Sequence, residues 1–299
     1  MILFRRFVFR LLNYVFFFLW PNLRRVCCFY LFIYWQSCGK RLILYLNRTG
    51  MKFSIITTTY NSAATIGDTV RSVADQIFDG EVEYIIIDGG STDATLEVLA
   101  AYMDVVTTIV SESDKGLYDA MNKGIRMATG DVVGILNSDD FYTSSDVLAT
   151  VAREFERNGV DAVFGDVHFV DPKNLDKCVR YYSSRHFVPA ALRYGFMPAH
   201  PSFYVKRECY VRYGGYDLSY RIASDYDLMV RFFHKHKISY AYINKDMVTM
   251  RTGGLSTKNL KNRLLITVED VKACRKNGLY SNILLMSLKY FYKVFELRF

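Results

Sequence analysis

Short apolar runs alternate with segments of helical periodicity through the middle of this 299-residue chain. The runs lie at residues 53–59, 82–87, 105–110 and 132–136, and each has the length of one strand. Parallel strands need crossover connections, and helices supply them. The alternation therefore predicts an α/β fold with a mainly parallel, Rossmann-like sheet and helices on both faces.

Helical spacing of apolar residues predicts the three crossover helices, and a fourth helix is predicted at about 146–157. The three series are Ile66, Val70, Val73 and Ile77; Leu96, Leu99 and Met103; and Leu117, Met121, Ile125 and Ala128. Each series would place one apolar face of its helix against the sheet.

Polar or acidic residues follow every one of the four runs. They are Tyr60 and Asn61 after the first, 88–93 after the second, Glu112 and Asp114 after the third, and Asp139 and Asp140 after the fourth. Because parallel strands end at one edge of a sheet, these residues are expected to meet there. A polar loop after one strand is ordinary, but four such ends with glycines at 89 and 90 predict a binding crevice.

The side chains of this crevice limit its ligand. No G-x-G-x-x-G sequence and no glycine-lysine phosphate loop follows the first strand. The adjacent carboxylates Asp139 and Asp140 would repel each other unless a cation such as Mg²⁺ or Mn²⁺ lies between them and a ligand. Carboxylates also accept hydrogen bonds from sugar hydroxyls. A sugar nucleotide with a divalent cation satisfies these constraints, whereas the Asp pair taken alone is better explained as a solvated turn.

The basic excess of the chain lies in its first fifty residues. Residues 1–50 contain eight basic residues and no acidic one, and the 30 basic residues that follow balance the 30 acidic ones. This distribution argues against a nucleic-acid partner. The segment is strongly apolar but lacks the ~18–20 uninterrupted apolar residues of a spanning helix. It is typical of a segment lying on an anionic membrane surface; a signal-like sequence, or an extension upstream of a natural start at Met51, are the alternatives.

Six cysteines occur without a C-x-x-C pair or the spacing of a zinc site. Free thiols are typical of a reducing compartment. Together with the basic segment, they predict a cytoplasmic protein held peripherally at the inner face of the cell membrane.

Four collinear stretches closely resemble the family-two glycosyltransferases of the GT-A fold. The stretches are residues 53–61, 87–93, 111–122 and 137–140. The likeness extends from about residue 52 to residue 256 and implies an inverting enzyme that uses a nucleotide-sugar donor. With the apolar basic segment at 1–50 and the helical patterns at 258–299, which lie outside the likeness, the chain is predicted to have three regions, the central one a GT-A domain at 51–257.

The resemblance also implies roles for residues at the predicted crevice. Thr58, Tyr60 and Asp88 would hold the base and ribose of the donor, with Asp114 close by. Asp139 would face the ribose, and Asp140 would bind the Mn²⁺ or Mg²⁺ ion that bridges the diphosphate.

The resemblance places the catalytic base at Asp225, where the family usually has Glu-Asp-Tyr-Asp-Leu. Ser224 stands here in place of the glutamate, which leaves the acceptor side open. Without the resemblance, Asp225 would be read as an ordinary helix start. His200 is a candidate for acceptor contact and, equally, for a hydrogen bond within the core. Residues 251–256 resemble a loop that closes over the donor, and a plain turn is the alternative.

The predicted activity is sugar transfer to a glycan or lipid-linked acceptor in surface-polysaccharide synthesis. Apolar and aromatic residues at 283–293 would pack on the core or contact the membrane, and membrane contact is favoured. The alternative function is a non-catalytic sugar-nucleotide or glycan-binding subunit of an assembly complex. A sugar nucleotidyltransferase would need a basic, glycine-rich loop after the first strand, and residues 60–64 do not provide one.

Overall fold

The computed structural model describes residues 50–253 and 260–294. The strands of these ranges are β1 (Lys52–Thr59), β2 (Glu81–Asp88), β3 (Thr108–Ser111), β4 (Val132–Ile135), β5 (Phe141–Tyr142), β6 (Ala162–Asp171), β7 (Asn174–Tyr182), β8 (Phe203–Lys206) and β9 (Tyr240–Arg251). The helices are α1 (Ile66–Ala74), α2 (Thr95–Ala100), α3 (Leu117–Met127), α4 (Val147–Asn158), α5 (Arg207–Tyr213), α6 (Ser224–Met229), α7 (Leu260–Lys276) and α8 (Ile283–Val294). Short 3₁₀ helices lie at Pro189–Tyr194 and His200–Ser202, and α6 continues into a π-helical segment, Val230–Lys235.

All nine strands belong to one sheet, ordered β3-β2-β1-β4-β8-β6-β9-β5, with β7 paired to β6. Strands β3, β2, β1 and β4 are parallel. Strand β8 runs antiparallel to β4, so the second half of the sheet is mixed. The predicted α/β fold with helices on both faces is confirmed, and the parallel half brings the carboxyl ends of β1 to β4 to one edge.

Both faces of the sheet are buried because successive residues of a strand point to opposite sides. In β1, Ile55 packs in the core that α1, α2 and α4 cover, and Ile56 packs in the core beneath α3 and α6. Gly124 lets α3 lie close to β1, since a Cβ at this position would be 2.4 Å from Cγ2 of Ile56. The core therefore fixes the positions of the strands, and with them the positions of the polar loops that follow their carboxyl ends.

Three of the predicted boundaries are wrong. Ile77 lies beyond the end of α1 and is 72% exposed, and α2 ends at Ala100, before Met103. The third strand begins at Thr108 and not at residue 105. Of the second helical series only Leu99 is buried, so tertiary packing supports less than two turns of helix there.

The C-terminal helices pack on the body of the protein. Cys274 of α7 and Met286 of α8 are buried in the same core as α6. Lys289 and Asp270 form a buried ion pair of 2.5 Å between the two helices. Part of the predicted 283–293 segment thus packs on the core, and within the described ranges no helix is both long enough and apolar enough to cross a bilayer. Residues 1–49 of the predicted membrane segment at 1–50, and residues 254–256 of the predicted donor loop, lie outside the described residues.

Candidate active site at the carboxyl edge of the sheet

Hydrogen bonds join the loops that follow β1, β2 and β4. Asn61 adopts a left-handed conformation with φ of 50°, and its Oδ1 accepts a bond from the Thr92 amide at 2.8 Å. The Asn61 amide donates to Ser91 Oγ at 2.8 Å. Ser62 Oγ lies 2.9 Å from Ser138 Oγ, just before the Asp pair. The polar strand ends that the sequence places at one edge therefore do meet.

Asp88 organises these loops from a fully buried position. Its Oδ2 accepts hydrogen bonds from Ser111 Oγ at 2.6 Å, the Ser91 amide at 3.0 Å and the Gly90 amide at 3.2 Å. Its Oδ1 accepts one from Ser91 Oγ at 2.5 Å. Three of these four donors bind Oδ2 and one binds Oδ1, so Oδ1 can still accept a further hydrogen bond. The loop-organising role was not foreseen from the sequence, and contact of Asp88 with a donor stays a prediction.

Tyr60, Gly89 and Asp114 form an open corner of the crevice. A Cβ on Gly89 would lie 2.7 Å from Oδ2 of Asp114 and 3.5 Å from Cδ2 of Tyr60, so a side chain at this position would displace the Asp114 carboxylate. The Tyr60 ring is 62% exposed, although it stands at a strand end. An exposed ring beside a carboxylate offers a surface for stacking and an acceptor for hydroxyls.

Three buried side-chain oxygens at this edge have no hydrogen-bond partner: Thr58 Oγ1, Thr59 Oγ1 and Asn137 Oδ1. Buried polar atoms are nearly always paired, so each unpaired one needs an explanation such as a water, an ion or a ligand. Thr58 and Thr59 end β1, and Asn137 begins the loop that carries the Asp pair.

Asp139 and Asp140 are held in place by neighbouring groups. Asn137 Nδ2 donates to Asp140 Oδ2 at 3.0 Å, and Arg251 Nη1 donates to the Asp139 carbonyl at 2.7 Å. Arg251 also pairs with Asp68 at 2.5 Å. Burial, followed by the charge of Asp139, raises the pKa of Asp140 well above its usual range. Burial also raises the pKa of Asp139, and Arg251 opposes that rise.

These residues fit a hard divalent cation. Asp140 supplies a buried carboxylate, and the unpaired Oδ1 of Asn137 lies within the same short loop. In the part of the chain that the structure describes, no three His, Cys, Asp or Glu side chains gather as a metal site. The protein would therefore supply one or two oxygen ligands and leave the others to phosphate and water, as Mg²⁺ sites often do.

Asp225 lies in the first turn of α6. Its Oδ1 accepts hydrogen bonds from the Tyr226 amide at 2.9 Å and from the Tyr118 hydroxyl at 3.2 Å. Burial raises the pKa of Asp225, and these two hydrogen bonds oppose the rise. A partly buried carboxylate with a raised pKa suits proton acceptance near neutral pH.

Two tyrosines connect Asp225 to His200. The rings of Tyr118 and Tyr216 stack at 5.5 Å with an angle of 19° between their planes. The Tyr216 hydroxyl lies 2.6 Å from Nε2 of His200. Burial lowers the pKa of His200 to about 4, so its ring is neutral at pH 7. His200 thus has the core hydrogen bond that one interpretation expected, and its contact with an acceptor stays a prediction.

Tyr118, Tyr216 and Arg251 were not assigned roles from the sequence. Tyr118 falls within the stretch 111–122 that carries the resemblance, which is the one signal that pointed to it. Its contacts with Asp225 join residues 107 positions apart, and no local spacing pattern records such a pair.

Comparison with known proteins places the chain in a family. Residues 54–202 match the family model described as glycosyl transferase family 2. The chain is 32% identical over 209 residues to a PGL/p-HBAD biosynthesis glycosyltransferase of Mycobacterium bovis, covering 68% of this chain and 78% of the relative. It is 27% identical over 121 residues to the glycosyltransferase GlyG of Streptococcus pneumoniae, covering 40% of each.

Solved structures share the fold at low sequence identity. TarS residues 1–349 of S. aureus, in complex with UDP-GlcNAc, match with a TM-score of 0.59 and 17% identity over 82% of this chain and 73% of that one. The mannosyltransferase PcManGT of Pyrobaculum calidifontis, in complex with GDP-Man and Mn²⁺, matches with a TM-score of 0.56 and 20% identity over 75% and 63%. These likenesses support the GT-A architecture.

The His200 environment predicts a pH dependence of stability. The folded-state pKa of about 4 is below the ordinary value of 6.5, so the unfolded chain binds a proton first as pH falls. The contribution of neutral His200 to the free energy of unfolding is therefore fully present above about pH 6.5. It falls by up to about 2–3 kcal/mol as the pH is lowered towards 4. Urea unfolding of wild type and His200→Gln between pH 7 and 4 should show that difference. His186→Gln removes an exposed histidine and should follow wild type; equal slopes for wild type and His200→Gln would contradict the assignment.

Proposed function

The chain is a glycosyltransferase of family 2, and from that premise we propose that it transfers a sugar, with inversion, from a nucleoside-diphosphate donor to a hydroxyl of a lipid-linked glycan acceptor. The observation that carries this proposal is the arrangement of Asp225, whose carboxylate has a raised pKa and a fixed orientation. Surface-polysaccharide synthesis is the process to which such a product would belong.

The donor occupies the open corner in this proposal. The base stacks on the exposed ring of Tyr60, and the carboxylates of Asp114 and Asp139 accept hydrogen bonds from ribose hydroxyls. Thr58 offers its unpaired hydroxyl, and Asp88 supports the loop from beneath. The bound UDP-GlcNAc of TarS and GDP-Man of PcManGT support a donor of this class.

Asp140, with Asn137, would hold a divalent cation at the diphosphate. When bound, such a cation offsets the charge that develops on the leaving nucleoside diphosphate. The Mn²⁺ ion of PcManGT supports this assignment. A cation at this site would also explain why the adjacent carboxylates of Asp139 and the buried Asp140 can coexist, since it would favour their charged forms.

Asp225 acts as the general base. The acceptor hydroxyl loses its proton to Asp225 as its oxygen forms a bond to the anomeric carbon, and the bond from that carbon to the diphosphate oxygen breaks. The bonding electrons leave with the nucleoside diphosphate. Attack from the opposite face inverts the anomeric configuration. The hydrogen bonds from Tyr118 and Tyr226 hold Oδ1, which orients Oδ2 towards the acceptor.

An exposed stripe on α8 supports peripheral attachment at the inner face of the cell membrane. Leu284, Leu288 and Phe291 repeat at i, i+4 and i+7 and are 78%, 43% and 73% exposed. Met286 and Lys289, on the other side of this helix, are buried. The basic residues Lys272 and Arg275 of α7 are exposed, and residues 1–50 add eight more basic residues. Apolar side chains combined with basic ones suit an anionic phospholipid bilayer.

Replacement of the base gives the direct test of the reaction. Asp225→Asn should lower kcat by at least about 10²-fold, since a general base contributes roughly that much or more. Donor binding should survive, because the donor corner is formed by other residues. Turnover with radiolabelled donor and calorimetric nucleotide binding give the two readings, and NMR of the wild-type product gives its anomeric configuration.

The matched control is Asp176→Asn, which removes an exposed carboxylate on β7 and should leave kcat unchanged. Wild-type turnover in Asp225→Asn would exclude the assignment of the base. A product of retained configuration would exclude inversion. A wild-type protein that binds nucleotide but never transfers sugar would instead favour the non-catalytic subunit.

If the α8 stripe contacts the bilayer, replacing its apolar side chains should weaken binding to vesicles. The triple variant Leu284→Ser, Leu288→Ser and Phe291→Ser should reduce partitioning onto phosphatidylglycerol-containing vesicles by about tenfold or more, because burial of one such side chain contributes about 1.5–3 kcal/mol. Sedimentation with vesicles measures the bound fraction. The control variant Ile77→Ser with Val211→Ser removes apolar side chains of similar exposure elsewhere. Equal partitioning of the triple variant and wild type would rule out this surface.

A further inference from the structure

A carboxylate from the C-terminal helix α7 binds the backbone just before α6. Oε1 of Glu269 accepts a hydrogen bond from the Arg221 amide at 2.9 Å. Oε2 accepts bonds from the Ile222 amide at 2.9 Å and from the Ala223 amide at 3.0 Å. One side chain therefore satisfies three successive amides. Ala223 is the N-cap of α6 and has no side-chain group to do so itself.

The same peptide is held from its other side by Tyr118. The Tyr118 hydroxyl shares its one proton between the Ile222 carbonyl oxygen and Oδ1 of Asp225. Glu269 accepts from the Ala223 amide, and Tyr118 donates to the Ile222 carbonyl at the other end of the same peptide group. The segment 221–223 is thus hydrogen-bonded both to α7 and to the start of α3. Asp225 lies two residues beyond it.

A second contact from α7 lies on the far side of Asp225. Asn277 Nδ2, beyond the last residue of α7, donates to Oδ1 of the buried Asp227 at 2.9 Å. The contacts of Glu269 and Asn277 therefore bracket Asp225 in the sequence. The helix α7 and the residue that follows it therefore contact the chain on both sides of Asp225.

We propose that Glu269 is a positioning residue for the transfer reaction, acting through the backbone of residues 221–223 to hold Asp225 at the acceptor hydroxyl. The proposal rests on the assignment of Asp225 as the base. A carboxylate is required because three amides need more than one acceptor oxygen, and charge-assisted bonds to backbone amides are stronger than neutral ones. A glutamine has the same length but a single acceptor oxygen. The C-terminal helical region thereby becomes part of the catalytic unit, although the family model ends at residue 202.

Glu269→Gln should lower kcat by about tenfold or more, since small displacements of a reacting group have effects of this size or larger. The KM for the donor and calorimetric nucleotide binding should stay at wild-type values. In the described part of the chain, Glu269 is hydrogen-bonded to the backbone of residues 221–223, none of which is a proposed donor residue. Glu208→Gln removes an exposed carboxylate paired with Arg212 on α5 and serves as the matched control, with kcat unchanged. Thermal unfolding by circular dichroism checks that the variants are folded.

A merely structural role is separated by a double-mutant cycle with Tyr118→Phe. If Glu269 and Tyr118 hold the same peptide, the losses in kcat of the two single variants should not multiply, and the double variant should depart from their product by at least about twofold. Multiplicative losses would contradict a shared action on this segment. An unchanged kcat in Glu269→Gln would overturn the proposal outright.

Two further results keep the outcomes distinct. If Glu269→Gln does not fold, Glu269→Asp keeps the charge and shortens the side chain, and a wild-type kcat in that variant would overturn the proposal, whereas a reduced kcat with unchanged donor KM would support it. If Asp225→Asn turns over like wild type, the base assignment fails independently of any effect at Glu269. A loss at Asp225 with no loss at Glu269 rejects the positioning role alone.

Discussion

Two adjacent carboxylates, one buried and one partly buried, set the electrostatic condition that the active-site edge must satisfy. Burial and mutual repulsion raise the pKa of Asp140 well above its usual range. The charge of Arg251, at the end of β9, opposes the rise in pKa of both carboxyl groups. A divalent cation that also binds the diphosphate of the donor would supply further positive charge. The proposed metal-bound donor would meet this condition, and the loops after β1, β2 and β3 place further acceptors at the same edge of the sheet.

The strands and their polar ends could be predicted because both follow from local patterns. Apolar runs of strand length mark β1 to β4, and the residues after them meet at one edge because parallel strands end together. The errors at Ile77 and Met103 arise where apolar residues with helical spacing are left exposed. Tertiary burial decides whether such a series becomes a helix, and the spacing alone contains no information on it.

The side of the site that contains the base was beyond local patterns. Asp225 was predicted through the resemblance, but the groups that orient it come from elsewhere in the chain. Tyr118 donates to Asp225 from the start of α3, and Glu269 of α7 accepts hydrogen bonds from the backbone amides of residues 221–223. These contacts join residues tens of positions apart, so only the folded chain brings them together. Of the C-terminal helices, α7 thus contacts the segment next to the proposed base, and α8 exposes an apolar face.

The most direct test of the central claim is calorimetric binding of UDP, GDP and dTDP, with and without Mn²⁺, to the wild-type protein and to Asp140→Asn. A metal-dependent donor site predicts that one nucleotide binds tightly only with Mn²⁺, and that Asp140→Asn loses this binding while remaining folded. Absence of nucleotide binding in every condition would contradict the account of the acidic edge as a donor site.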